Sequence, residues 1–340
     1  METNPRATGP APDGASRSES GSTSSALSGP GRRVGDQVFA GLTSGAGVLV
    51  LVIIVAIAVF LVRKAIPAVR ADSTSFFTTK LWQPDNVPPV FGIAALVFGT
   101  LLSSVIALLI AGPVAIGIAL YISDYAPRRL ATFVGYLVDL LAAVPSVVYG
   151  LWGLLFLVPH ADKFQQFLAD HLGFIPLFDL GKNGVVGRSV LIASVVLAIM
   201  ILPIVAAISR EVFLQVPAAN REAALALGAT KLEMIRLAVL PYSRSGVTGA
   251  LMLGLGRALG ETIAVALVLS LAPTTSFHII DANIGGTTIA ANIAAQYQAA
   301  EPLGQQALIA SGLVLFVITF AVNGLARYVV SRGGRRMASS

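Results

Sequence analysis

Cysteine is absent from the 340-residue chain. That excludes disulfides, thiolate zinc sites and iron–sulfur clusters. Histidine is nearly absent: His160, His171 and His278 are scattered and lack metal-ligand spacing, so no metal site is expected. Charge is scarce too. Only 12% of residues are Asp, Glu, Lys or Arg, against 55% hydrophobic, and the mean hydropathy of +0.81 is far above that of a soluble domain. No GxxxxGK[ST] sequence occurs, so the chain cannot hold ATP in a Walker loop. No nucleophile–base pair or cofactor motif appears either, and the chain is expected not to be an enzyme, with no cofactor of its own. Strict apolar–polar alternation does not dominate, which argues against a β-barrel.

What is present is a series of long apolar runs. Six reach the roughly 20 residues that cross about 30 Å of hydrocarbon at 1.5 Å per residue: about 42–62, 93–121, 132–158, 189–208, 246–271 and 306–326. The expected class is all-α transmembrane with six spans. Residues 1–31 are rich in Gly, Ser, Pro, Ala and Thr and carry too little apolar surface to offset the entropy of ordering. The first apolar run begins near Val38 without a convincing cleavage site, so it does not read as a signal peptide. The expected division is a disordered cytoplasmic tail (1–37), a first span with its outer loop (38–92), a transmembrane core (93–330) and a cytoplasmic tail (331–340).

The formal net charge is +6. Basic residues beside spans set orientation and meet anionic lipid heads, and no basic-and-aromatic platform suggests nucleic acid. An even number of spans puts both termini on one side. With that side cytoplasmic, the inner segments hold thirteen Lys and Arg within about 20 residues of a span, including Arg128, Arg129, Arg210, Arg221, Lys231, Arg236 and Arg244. The outer segments hold seven, and 272–304 holds none. The positive-inside rule favours cytoplasmic termini in an inner membrane, with Arg63 and Lys64 as a local exception.

The segment "QVPAANREAALALGATKLEMIRLAVLPYSRSG" between the fourth and fifth spans reads as two short helices. Pro217 suits the first turn of one, and Gly228 can end it in a left-handed conformation. Thr230 to Glu233 matches a capping box opening the second, which Pro241 is expected to end. "EAALALG", then nine residues, then "AVLP", resembles the EAA loop of ABC importer permeases. Glu222, Ala223, Ala224, Gly228, Leu240 and Pro241 match that pattern, while Ala238 stands where Ile is usual. The resemblance implies that these six residues couple the chain to a separate ATPase, which would bind the ATP and Mg. "GTLLSSVIALLIAGPVAIGIALYISDYAP", "DLLAAVPSVVYGLWG" and "GRALGETIAVALV" look like the permease of the high-affinity phosphate importer, PstC type more than PstA type. The likeness covers about 38–330. It implies the type I ABC importer permease (MetI-like) fold, a PstA-like second permease, two PstB-like ATPases and an extracytoplasmic PstS-like phosphate-binding protein.

"GRALGETIAV" sets Arg257 and Glu261 four residues apart inside an apolar run. On one helix they would share a face. They read either as a neutralised pair or as a phosphate passage, since a guanidinium fork matches phosphate oxygens. Gly256 and Gly260 form a small-xxx-small pattern for close helix packing. Asp139 and Ser146 are further pathway candidates. Pro113, Pro145 and Pro203 are expected to kink or interrupt their spans. The outer segment 272–297 reads as a lining of the outer mouth or a surface for the binding protein. An ABC permease for sulfate or molybdate and an independent secondary transporter are the competing readings.

Overall fold

The computed structural model describes residues 34–180, 184–269, 275–283 and 286–337. The expected N-terminal tail up to residue 33, Lys182, the end of the fifth apolar run at 270–271, and residues 272–274 and 284–285 of the outer segment lie outside the described residues. The chain divides into two compact units, 1–55 and 56–340.

The described part of the first unit is helical and belongs to α1, Val34–Ala71. Leu51, Val52 and Ile53 are exposed there, as a lipid-facing span requires. At 38 residues α1 is about 57 Å long, so its ends exceed a bilayer's hydrocarbon, and Arg63, Lys64 and Arg70 fall in its final turns.

In the second unit a two-stranded antiparallel hairpin, β1 Trp82–Gln83 and β2 Val90–Phe91, pairs Trp82 with Phe91. Phe76, Trp82 and Phe91 meet edge to face, which suits the ring quadrupoles. They pack with Leu96 and Leu308 over Ala65 and Ala68. Next comes α2, Ala94–Leu120, which runs through Pro113 and widens into a π turn at Tyr121–Tyr125. α3 is Arg128–Ala142 and α4 is Ser146–Trp152. A second π turn at Gly153–Leu157 leads into α5, Val158–Leu172. α6, Val190–Leu214, is the central helix and is mostly buried. Ala107, Ala111, Ala115 and Ala119 are fully buried on α2. Their spacing of four puts them on one helix face, and their small size lets the backbones of α2 and α6 approach. α7 is Ala218–Ala226 and α8 is Lys231–Met234. A third π turn, Ile235–Val239, runs directly into α9, Leu240–Leu259. α10 is Ile263–Val268, α11 Ile289–Gln296 and α12 Pro302–Met337.

Among the described residues four single helices are long and apolar enough to cross a membrane: Gln37–Ala71, Ala94–Tyr125, Val190–Leu214 and Pro302–Tyr328. The expected third span, 132–158, is instead the bent pair Arg128–Ala142 and Ser146–Leu172, at 89°. Pro145 lacks an N–H and disfavours a helical residue before it, so the backbone leaves the helix at 143–145. Tyr149 Oη then donates to Leu141 O at 2.8 Å, in the last turn of α3. Pro113 and Pro203, by contrast, lie inside uninterrupted helices. The expected fifth span, 246–271, is also broken, at Gly260–Thr262 between α9 and α10. Its Ser, Gly and Arg content keeps α9 out of the helices apolar enough to cross alone.

Candidate translocation site and coupling surface

The break after α9 falls on the stretch that holds Arg257 and Glu261. Gly260 caps α9, and Glu261 lies beyond the helix end. Arg257 and Glu261 therefore do not share one helix face. Among the described residues they form no ion pair; the two salt bridges are Arg210–Glu211 and Arg221–Asp124. Glu261 is buried and its Oε1 accepts from Ala264 N–H at 3.3 Å, at the start of α10. A carboxylate there complements the positive end of the helix dipole. Arg257 is exposed and lines a cleft of about 510 Å³ with Ile204, Met252, Leu253, Gly256, Thr319 and Asn323.

The other end of α10 is held by a residue that the sequence shows only as a charge. Arg188 donates from Nη2 to Leu267 O at 2.9 Å and Leu269 O at 2.8 Å, and from Nε to Val268 O at 3.3 Å. A guanidinium on the final carbonyls of a helix satisfies otherwise unpaired acceptors and suits the negative dipole end. No local signal reveals this, since the partners are 79 to 81 residues away. Gly150 of α4 faces α10 closely: a Cβ there would lie 2.6 Å from Ala264 Cα. The "VPSVVYGLWG" and "GETIAVALV" stretches, quoted above for the same resemblance, thus pack against each other.

The other candidates are dispersed. Asp139 is exposed on α3 and lines a separate pocket of about 270 Å³ with Thr132, Tyr136 and Arg210. Ser146 opens α4 and is half-buried. Gly256 and Gly260 do not lie on one helix, and a Cβ at Gly256 would meet nothing within 4 Å. The glycines that permit close packing on α9 are Gly254 and Gly246, where a Cβ would lie 2.6 Å from Val205 Cγ2 and 2.5 Å from Val212 Cγ1. Among the described residues no group of three or more His, Cys, Asp or Glu could hold a metal ion.

The 215–246 loop has an inner and an outer side. Val216, Met234, Ile235 and Val239 are buried with Ala119 and Phe213. Arg221 Nη1 meets Asp124 Oδ1 at 3.0 Å, Arg221 Nη2 donates to Phe213 O at 2.6 Å, and Ser123 Oγ donates to Asp124 Oδ2 at 2.6 Å. Lys231 Nζ sits 4.7 Å above the Tyr125 ring, a cation–π distance. On the outer side Glu222, Ala223 and Gly228 are exposed, and Leu227 is 90% exposed. Gly228 has φ +84°, the left-handed region that favours glycine. Thr230 Oγ1 accepts from Glu233 N–H while Glu233 Oε2 accepts from Thr230 N–H at 2.7 Å. These bonds to the charged form hold the Glu233 carboxyl below its ordinary value. Pro241 does not end the second helix as expected. It stands in the first turn of α9, directly after the π turn. Leu240 N–H bonds back to Ile235 O, and this wide turn makes room for the proline ring.

A family model described as "Binding-protein-dependent transport system inner membrane component" matches residues 113–334, and the chain belongs to that family. It is therefore a multi-pass inner-membrane permease component of type I ABC importer (MetI-like) fold, and not itself the ATPase. The chain is 47% identical over 310 residues to "Phosphate transport system permease protein PstC 2" of Mycobacterium tuberculosis, covering 90% of this chain and 94% of that one. It is 42% identical to a "Phosphate transport system permease protein PstC" of Xylella fastidiosa, over 88% of this chain and 92% of that one. Among solved structures it is similar to an inward-facing MetNI methionine ABC transporter chain, with a TM-score of 0.47 and 17% identity, over 70% of this chain and 95% of that one.

Proposed function

We propose that this chain is the permease subunit of an ATP-driven inorganic phosphate importer, forming half of its translocation pathway. The observation that carries the reading is Arg257, exposed on a cleft and without an acidic partner among the described residues, together with relatives whose names specify phosphate transport. An intramembrane charge is costly to insert, and an anion on the pathway would offset part of that cost. Residues 93–330 would form the working core, with Asp139 and Ser146 at its edges. Glu261 would act on the pathway through the start of α10. Glu222, Ala223, Ala224, Gly228, Leu240 and Pro241 would form the surface received by PstB-like ATPases, where ATP and Mg would bind. Gly256 would face a PstA-like partner permease, and a PstS-like binding protein would deliver phosphate from outside. Both termini would be cytoplasmic.

The test is Arg257→Lys, which keeps the charge and loses the planar fork. Losing one charge-assisted hydrogen bond, about 1.5–3 kcal/mol, lowers phosphate uptake roughly ten- to hundredfold, with normal protein level and assembly. Uptake at the parental rate removes Arg257 from the pathway. Sulfate or molybdate uptake in place of phosphate would favour the other oxyanion permeases.

A further inference from the structure

We propose that the inner half of the anion conduit runs down the cleft between α9 and α12, from Arg257 past Asn323 to Arg327. This deepens the phosphate-permease reading and rests on it. The cleft at Arg257 and a second one of about 520 Å³ share Met252, Leu253 and Asn323 as lining residues. Ser245 and Ala326 line the second cleft, and Gly256 and Thr319 the first. Rising numbers on α9 meet falling numbers on α12, so the helices run antiparallel and the two cavities form one groove. From Ser245 to Arg257 the groove spans about 18 Å at 1.5 Å per residue, more than half of a hydrocarbon core.

Its chemistry suits an oxyanion. Arginines stand at both ends, with the Asn323 amide between them, and no Asp or Glu lines either cavity. Thr319 Oγ1 donates to Leu315 O at 2.8 Å, which leaves Asn323 as the donor at mid-groove. Gly249 and Gly256 keep the groove wide, since a Cβ at either position would meet nothing within 4 Å. A conduit needs several sites, each strong enough to receive an ion and weak enough to release it. Two cations joined by a neutral amide fit that requirement.

The absence of cysteine allows a direct test in the full importer, using inside-out vesicles. In Asn323→Cys an anionic, water-soluble thiosulfonate should react from the cytoplasmic face. Millimolar inorganic phosphate should slow that reaction several-fold, and modification should lower ATP-driven phosphate release from the vesicle lumen at least tenfold. Arg327→Gln should lower uptake about tenfold, the loss of one charge-assisted hydrogen bond, with the partner subunits still co-purifying, and Arg327→Lys should recover most of it. Reaction only with a membrane-dissolved maleimide would show a lipid-covered groove, and no reaction with either reagent a protein-covered one. Either result overturns the proposal, as does parental uptake in both Arg327→Gln and Asn323→Leu. If Arg257→Lys fails to transport while these two variants transport normally, the groove is wrong and the permease reading stands. If the parent complex imports no phosphate, the permease reading itself fails.

Discussion

Replacing Arg221 with alanine should detach the 215–246 loop from the helices it rests on. Arg221 joins α7 to the π turn after α2 through Asp124, and to the end of α6 through Phe213 O. The Asp124 side chain is 2% exposed and that of Arg221 22%. Removing one member of a buried pair costs roughly 3–5 kcal/mol, because the other charge stays buried without compensation. Arg221 is partly solvated, so the lower figure, about 3 kcal/mol, applies. Ser123 Oγ alone would remain on the carboxylate. If the loop opens locally rather than with the whole chain, 3 kcal/mol speeds amide exchange across 218–239 on the order of a hundredfold. Hydrogen exchange on the purified importer reads this directly. Asp124→Asn should be milder, since it removes the buried charge and keeps a polar partner. The double variant should be less impaired than the sum of the singles by about 1–3 kcal/mol. We expect Arg221→Ala to retain ATP hydrolysis in the partner while phosphate uptake falls. Unchanged exchange and uptake in Arg221→Ala, or strictly additive singles, would refute the reasoning.

Gly228→Ala meets no neighbouring atom, so its effect comes from the backbone at φ +84° alone, about 1–2 kcal/mol. Uptake should fall while Gly228→Asn, which tolerates that conformation, stays closer to the parent. The depressed Glu233 carboxyl contributes stability that is complete above the ordinary value of about 4.5 and is lost as pH falls through the lower folded value. The start of α8 should loosen in that acidic window by hydrogen exchange, and Glu233→Gln, which removes the titrating carboxyl, should abolish the dependence. Cysteines at Leu227 and Val87, 90% and 98% exposed, should be labelled by impermeant reagents only from the cytoplasm and only from outside, respectively. Reversed labelling would overturn the orientation.

The loop was the most legible part of the sequence. Gly228 and the Thr230–Glu233 box are local devices whose signals lie within a few residues. Pro241 is ambiguous in sequence because a proline at a helix start and one after a helix end look alike. The break at Gly260–Thr262 was hidden because the run regains its apolar character at once with Ile263, Ala264 and Val265. The local signal of the break is a glycine followed by two polar residues, Gly260 to Thr262, and the four-residue spacing of Arg257 and Glu261 masks it. Pro145 did mark the bend in the third run, but unbroken hydropathy cannot distinguish a crossing from a corner. Arg188 on α10 is legible only in three dimensions.

The continuity of α8, the third π turn and α9 has a mechanical consequence. From Lys231 to Arg257 the chain is helical without interruption, about 39 Å at 1.5 Å per residue. On the proposed pathway it would act as a lever with one arm at the 215–246 loop and the other at the Arg257 cleft. A tilt of about 5° about one end moves the other by about 3.4 Å over that length, roughly the difference between an ion held and an ion released. The lever stops at Gly260, so the motion ends where α10, clamped at both ends, begins.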